Sequence, residues 1–276
     1  MPTAGLSLVG FMPREQALLH LKTACIAPDP SDQILEAEWL EAKNRLGTST
    51  ERAGNPEILD LPQEATPHLA NMMQGWPQNF SMNPPPEFRM IEIAPLLAYQ
   101  FVVDGPRSGH HCGTFSAPPS IDELLKVCLP DQPTEEPLQS QQLPQSIVIK
   151  ARSLNVNMQA QGMIAPGVFG MAIGLSLPWV HVVRYNGRCY LHNGYHRTYG
   201  AAIQGATHIP CIFRDVPDAA AAGIKTDGTT FPIDLLESAN PPTMAHFSRG
   251  KAQPVTLRAT TRILHVSWAE YGMYDE

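Results

Sequence analysis

Between residues 137 and 214 the chain has no aspartate and no glutamate. All 26 acids of this 276-residue protein lie outside that stretch. The stretch keeps Lys150, Arg152, Arg184, Arg188, Arg197 and Arg214. A net acidic protein has cleared its carboxylates from one segment, which can therefore receive an anion without like-charge repulsion.

Other absences narrow the class. No apolar run reaches the length of about 18 residues that a membrane-spanning helix needs. The five cysteines are scattered and contain no Cys-x-x-Cys. That usage fits reduced thiols in a cytoplasmic protein. The N-terminus has no basic start and no small-residue cleavage pattern, so no signal peptide is expected. His110-His111-Cys112 has no second spaced ligand pair, and adjacent histidines point different ways, so no protein-held metal is expected. A net charge of −7 argues against broad nucleic-acid binding, which needs a basic surface. No internal repeat is visible.

What remains is a globular composition, 43% apolar, enough for one large or two small domains. The 27 prolines are roughly twice the average share of about 5%. They predict many breaks and few long helices. Residues 14–26 and 31–46 read as two helices, an αα-hairpin that forms a packing arm or an interaction module. A third helix is expected near 67–74, and 76–86 reads as irregular. Residues 120–128 form a capped helix. Residues 130–146 are rich in Pro, Gln and Glu and read as a linker. A strand is expected at 147–156 and another at 262–268. The almost uncharged run 162–178 reads as a buried loop, a lid or a hydrophobic contact surface.

The central motif is sharper. Residues 179–185 and 188–193 are β-rich and are separated by Asn186-Gly187, a strong hairpin signal because both residues tolerate φ > 0. Asn193 then reads as an N-cap and Gly194 as a sharp turn. A helix fits 195–204, with Tyr195, Tyr199, Ala202 and Ile203 on one face. Gly205 stops it, and 208–214 reads as a strand. His196 and Arg197 fall in the helix's first turn, where unpaired N–H groups and the dipole favour an anion. The nearby absence of acids leaves them no carboxylate within the segment.

The run RYNGRCYLHNGYHRTYGAAIQGATHIPCIFRDV resembles the core of the ParB/sulfiredoxin-like superfamily. Gly194, His196, Arg197, Gly205, Ile209, Pro210 and Cys211 stand at the matching places. Residues 88–104, FRMIEIAPLLAYQFVVD, are similar to the opening strand of these domains. The resemblance implies an α/β (α+β) fold, with a small mixed-sheet core over 88–216. It implies a helical region at 1–80, an insertion at about 105–146, and a C-terminal extension over 217–276. It also implies a nucleoside triphosphate with Mg, its phosphates on Asn193, Gly194, Tyr195, His196 and Arg197, with Arg188 within reach. His196 and Asp104 are the candidates for catalysis, and hydrolysis or phosphoryl transfer the candidate reaction. Tyr195 stands where sulfiredoxins carry their nucleophilic cysteine, so that chemistry is not expected. A nucleic-acid-binding or nuclease-like protein is the second reading, and a non-catalytic protein-interaction module the third. The expected compartment is the cytoplasm, with no membrane partner.

Overall fold

The computed structural model describes residues 2–27, 31–46, 52–75, 86–131, 138–151, 156–175, 179–248, 250–258 and 261–270. In chain order the strands are β1 (Thr3–Ser7), β2 (Ile58–Asp60), β3 (Glu87–Glu92), β4 (Val102–Asp104), β5 (Gln139–Leu143), β6 (Ser146–Ala151), β7 (Val156–Ala165), β8 (Val168–Leu175), β9 (His181–Tyr185), β10 (Arg188–Asn193), β11 (His208–Asp215), β12 (Gln253–Leu257) and β13 (Arg262–Ser267). The helices are α1 (Arg14–Thr23), α2 (Asp32–Arg45), α3 (Thr66–Gly75), α4 (Gly105–Cys112), α5 (Ile121–Cys128), α6 (Tyr195–Ile203) and α7 (Ile233–Leu236). The class is mixed α and β, as the sequence implies.

Two compact units result. The larger comprises Met1–Asp131 and Trp179–Arg258; the smaller comprises Gln132–Pro178 and Ala259–Glu276. Of the expected insertion at about 105–146, residues 132–146 fall in the smaller unit. Residues 105–131 belong to the larger unit because α4 packs on α6, and α5 packs on α6 and β11.

The larger unit holds a five-stranded mixed sheet in the order β10-β9-β11-β3-β2. Strands β9 and β11 run parallel; the other pairs are antiparallel. The β9–β10 turn places Asn186 at φ 48° and Gly187 at φ 72°, the double positive φ that Asn-Gly tolerates. Val182, Val183, Tyr190, Leu191, Ile209 and Cys211 are buried on this sheet. A second antiparallel sheet, β12-β1-β4, ties the N-terminus to residues 253–257.

The N-terminal αα-hairpin, α1 and α2, is present and packs on the larger unit. The N-terminal region opens with β1, and Leu18, Leu21, Leu35 and Trp39 enter the common core. The Trp39 indole donates to the Met12 carbonyl at 3.0 Å. Phe231, Leu236, Met244 and Phe247 of the expected extension are buried in the same core. Burial of this kind contributes roughly 1.5–3 kcal/mol per large apolar side chain, so both ends of the larger unit stabilise its centre.

In the smaller unit, β13-β6-β5 form an antiparallel sheet and β7-β8 a two-stranded ribbon. Part of the expected linker is therefore strand β5; residues 132–137 lie outside the described residues. The expected loop over 162–178 is mostly ribbon, turning at Pro166-Gly167 with Gly167 at φ 75°. The segment 76–85 also lies outside the described residues.

Candidate functional site

Helix α6 starts where one glycine breaks the strand. Gly194 is its N-cap, at φ 98° and ψ 21°, a left-handed conformation that L side chains rarely adopt. Gly194 is also buried. A Cβ there would lie 2.6 Å from Cγ2 of Val180 and 3.1 Å from its Cα. Backbone torsion and packing each demand glycine. The cap has no side chain, and no side-chain cap bond closes the first turn. The positive end of the helix dipole therefore has no internal carboxylate or hydroxyl capping it there.

Asn193 is not the N-cap that its residue type suggested. It closes β10, and its Nδ2 donates to the Trp179 carbonyl at 3.0 Å. Tyr195 is fully turned inward. Its hydroxyl accepts the backbone N–H of Tyr99 at 2.9 Å and that of Gln100 at 3.4 Å. Burial pushes its phenol well above the ordinary range. The Tyr195 side chain therefore holds the segment after β3 in place, which leaves only its backbone N–H, the first of α6, to face a ligand. The buried side of α6 carries Tyr195, Arg197, Thr198 and Ala201, while Ile203 is exposed. The expected Tyr195–Tyr199–Ile203 stripe is only partly buried, because α6 is covered by α4 as well as by the sheet. Gly200 makes that approach possible: a Cβ would meet Cys112 Sγ at 2.7 Å and the Ser108 carbonyl at 2.8 Å.

Arg197 is buried. Burial lowers the proton affinity of its guanidinium, opposed by the thiols of Cys128 and Cys112 and assisted by Arg107. The Cys112 thiol donates to the Arg197 carbonyl at 3.6 Å. His196 is half-buried. Its imidazole is pushed down to about 4, chiefly by burial and then by the Arg107 cation, with Asp104 opposing and Arg197 adding a smaller push. His196 is therefore neutral at pH 7 and offers one ring N–H. Arg107, which the sequence reading passed over, joins His196 and Arg197 electrostatically at the start of α6. Its only sequence signal is its place three residues after Asp104.

Asp104 has a different role from the one expected. It is the N-cap of α4. Its Oδ1 accepts the Arg107 N–H at 2.9 Å, and its Oδ2 accepts the Thr3 hydroxyl at 2.7 Å. Both oxygens join β1 to α4, a structural role beside the catalytic one expected. Arg188 is also withdrawn from the site. Its Nη1 donates to the carbonyls of Leu236 at 2.8 Å and Ser238 at 3.3 Å. It opens β10 while Gly194 follows its end, about 20 Å of strand away. Arg184 pairs with Asp215, just past the acid-free stretch, at 2.6 Å and 2.8 Å.

A second polar group closes the same end of the sheet. The Tyr99 hydroxyl donates to the His192 carbonyl at 2.7 Å, and His192 Nδ1 lies 3.0 Å from the Ala222 carbonyl. A carbonyl only accepts, so Nδ1 carries the proton. His181 lies beside it, ring centroids 6.3 Å apart. Its imidazole is pushed down to about 3 by burial, then by His192 and Arg214.

Among the described residues, no three His, Cys, Asp or Glu side chains are placed to hold a metal ion. Among the described residues, no helix is long and apolar enough to cross a membrane. Comparison with protein-family models, curated proteins and solved structures yields no match to this chain.

Proposed function

We propose that the chain binds a phosphate-bearing anion at the start of α6, and that the ligand is a nucleoside triphosphate carrying its own magnesium. The observation that supports this most is the helix start on Gly194 without a side-chain cap, flanked by His196, Arg197 and Arg107. Helix N–H groups and nearby guanidinium groups together form a favourable environment for phosphate oxygens. The mixed sheet, with β10, a glycine turn, α6 and β11 in succession, agrees with the ParB/sulfiredoxin-like resemblance in element order.

This reading is one of binding. Hydrolysis or phosphoryl transfer would fall to His196, whose neutral ring can accept a proton, while Asp104 is bonded to Thr3 and to the Arg107 backbone. Nucleic-acid binding draws less support, because Arg184 and Arg188 are tied to Asp215 and to backbone carbonyls.

Calorimetry with ATP, CTP, GTP and ADP, each with magnesium, tests the proposal. Saturable binding of at least one nucleotide is expected, weakened in Arg197→Lys and in His196→Gln. Absence of binding by all four, or affinity unchanged in both variants, removes the start of α6 as the site.

A further inference from the structure

The β7–β8 ribbon offers an interaction surface independent of the α6 site. It is a two-stranded sheet, so β8 is hydrogen-bonded to β7 and to no other described strand. Within the smaller unit β7 comes near β13 without pairing with it, so of the ribbon's two edges that of β8 is the more open. A two-stranded hairpin is marginal by itself in water; a third strand and a covered apolar face are what stabilise such a unit. The ribbon exposes Met163 at 66% and Phe169 at 65%, directly opposite each other across the strands, with Val168 and Met171 alongside. Exposed edges in stable monomers are normally guarded by charge or proline. Here no Asp, Glu, Lys or Arg occurs from residue 153 to residue 183, and the ribbon's one proline, Pro166, sits in the turn.

We infer that β8 is a self-association edge, whose occupant is β8 of a second copy of this chain. A two-fold axis across the strand brings the two copies together antiparallel and joins the ribbons into one four-stranded sheet. Each copy's outward N–H and C=O groups then find partners, and the Phe169 and Met171 side chains of the two copies line one continuous face. The charge pattern favours a copy over a charged partner. The chain is −7 overall, so two copies repel across most of their surfaces, and this uncharged ribbon is where they meet without like-charge contact.

Sedimentation velocity of the full chain over a hundredfold concentration range tests this. A concentration-dependent dimer is expected for the wild type, and a monomer with unchanged far-UV circular dichroism for Phe169→Asp and for Met171→Lys. A wild type that stays monomeric overturns the inference. So does dimerisation undiminished in both variants, and so does a monomer that floats with phosphatidylcholine vesicles. Should either variant misfold, hydrogen exchange on the wild type decides. Amides of β8 gain protection with concentration if the edge is paired between copies; protection independent of concentration overturns the inference.

Discussion

The Tyr195 hydroxyl accepts the backbone N–H of Tyr99 at 2.9 Å, joining the first turn of α6 to the chain leaving β3 from 96 residues earlier. Both residues are buried. Replacing Tyr195 with Phe leaves the Tyr99 N–H buried without its acceptor. An unsatisfied buried donor costs about 1–3 kcal/mol. Tyr195→Phe is expected to lose stability on that scale in urea unfolding while nucleotide affinity stays at wild type. A matching loss of affinity in the folded variant would show that Tyr195 contributes to the ligand site.

Gly194→Ala separates the two demands on that residue. Its added methyl meets Val180 at 2.6 Å in a left-handed backbone. Overpacking costs about 1–3 kcal/mol, and an unfavourable backbone region about as much again. The variant is expected to be clearly destabilised, so any lost binding has to be measured at a temperature where it is folded. Val180→Ala in the same chain is expected to restore part of the stability. No recovery would show that torsion alone sets the requirement.

His196 predicts a pH signature of binding. Its free-state value is about 4. A phosphate beside it raises that value, so the complex binds more protons than the free protein. Affinity is then expected to rise as pH falls through the value raised in the complex towards about 4, with proton uptake visible as a buffer-dependent heat in calorimetry. The His196 share of this uptake disappears in His196→Gln. An uptake identical in the two proteins belongs to the phosphate and places His196 away from it.

Arg188→Gln is expected to affect stability rather than binding. It removes a charged donor from the carbonyls of Leu236 and Ser238, a loss of about 1.5–3 kcal/mol for bonds to charged groups. Thermal unfolding reads the first effect and nucleotide titration the second. An affinity that falls severalfold in the folded variant would return Arg188 to the site.

Acid destabilises this fold through its histidines. His20, His181 and His246 are pushed down to about 4, 3 and 4 by burial, as His196 is to about 4, from an ordinary value of 6.5. Unfolded chains therefore bind these protons first as pH falls. The stability these neutral histidines support is present above pH 6.5 and is lost between 6.5 and about 3. Denaturant midpoints are expected to drop across that window, before most carboxylates titrate. A flat midpoint from pH 6.5 to 5 contradicts it.

The local grammar of the site was legible in the sequence. Asn186-Gly187 fixed a hairpin, Gly194 a turn, and Gly205 the end of α6, because these positions depend on backbone torsion that few residues tolerate. What escaped was long-range. Asp104 looks like a free carboxylate until β1 brings Thr3 to it, and Arg188 looks like a phosphate donor until residues 236–238 present their carbonyls. The ribbon's strands were not legible, and 162–178 read as a buried loop, a lid or a hydrophobic contact surface, because glycine-rich, uncharged residues carry little alternation. The cap at Gly194 rather than Asn193 turned on Val180, a neighbour that no local pattern names.

The pairing of β1 with β12 sets an order of events in making the protein. Thr3 pairs with Leu257, so β1 cannot complete its sheet until the more than 200 residues that separate it from β12 have been made. Closing so long a loop adds little to the equilibrium cost, because that cost grows only with the logarithm of length. The burden is kinetic: contacts this distant in sequence form late and slowly. During synthesis β1 can pair early only on its β4 side, leaving the other edge open for any strand that arrives before β12. A chain cut short before residue 253 would keep the residues around Gly194 and still lack the strand that closes that edge.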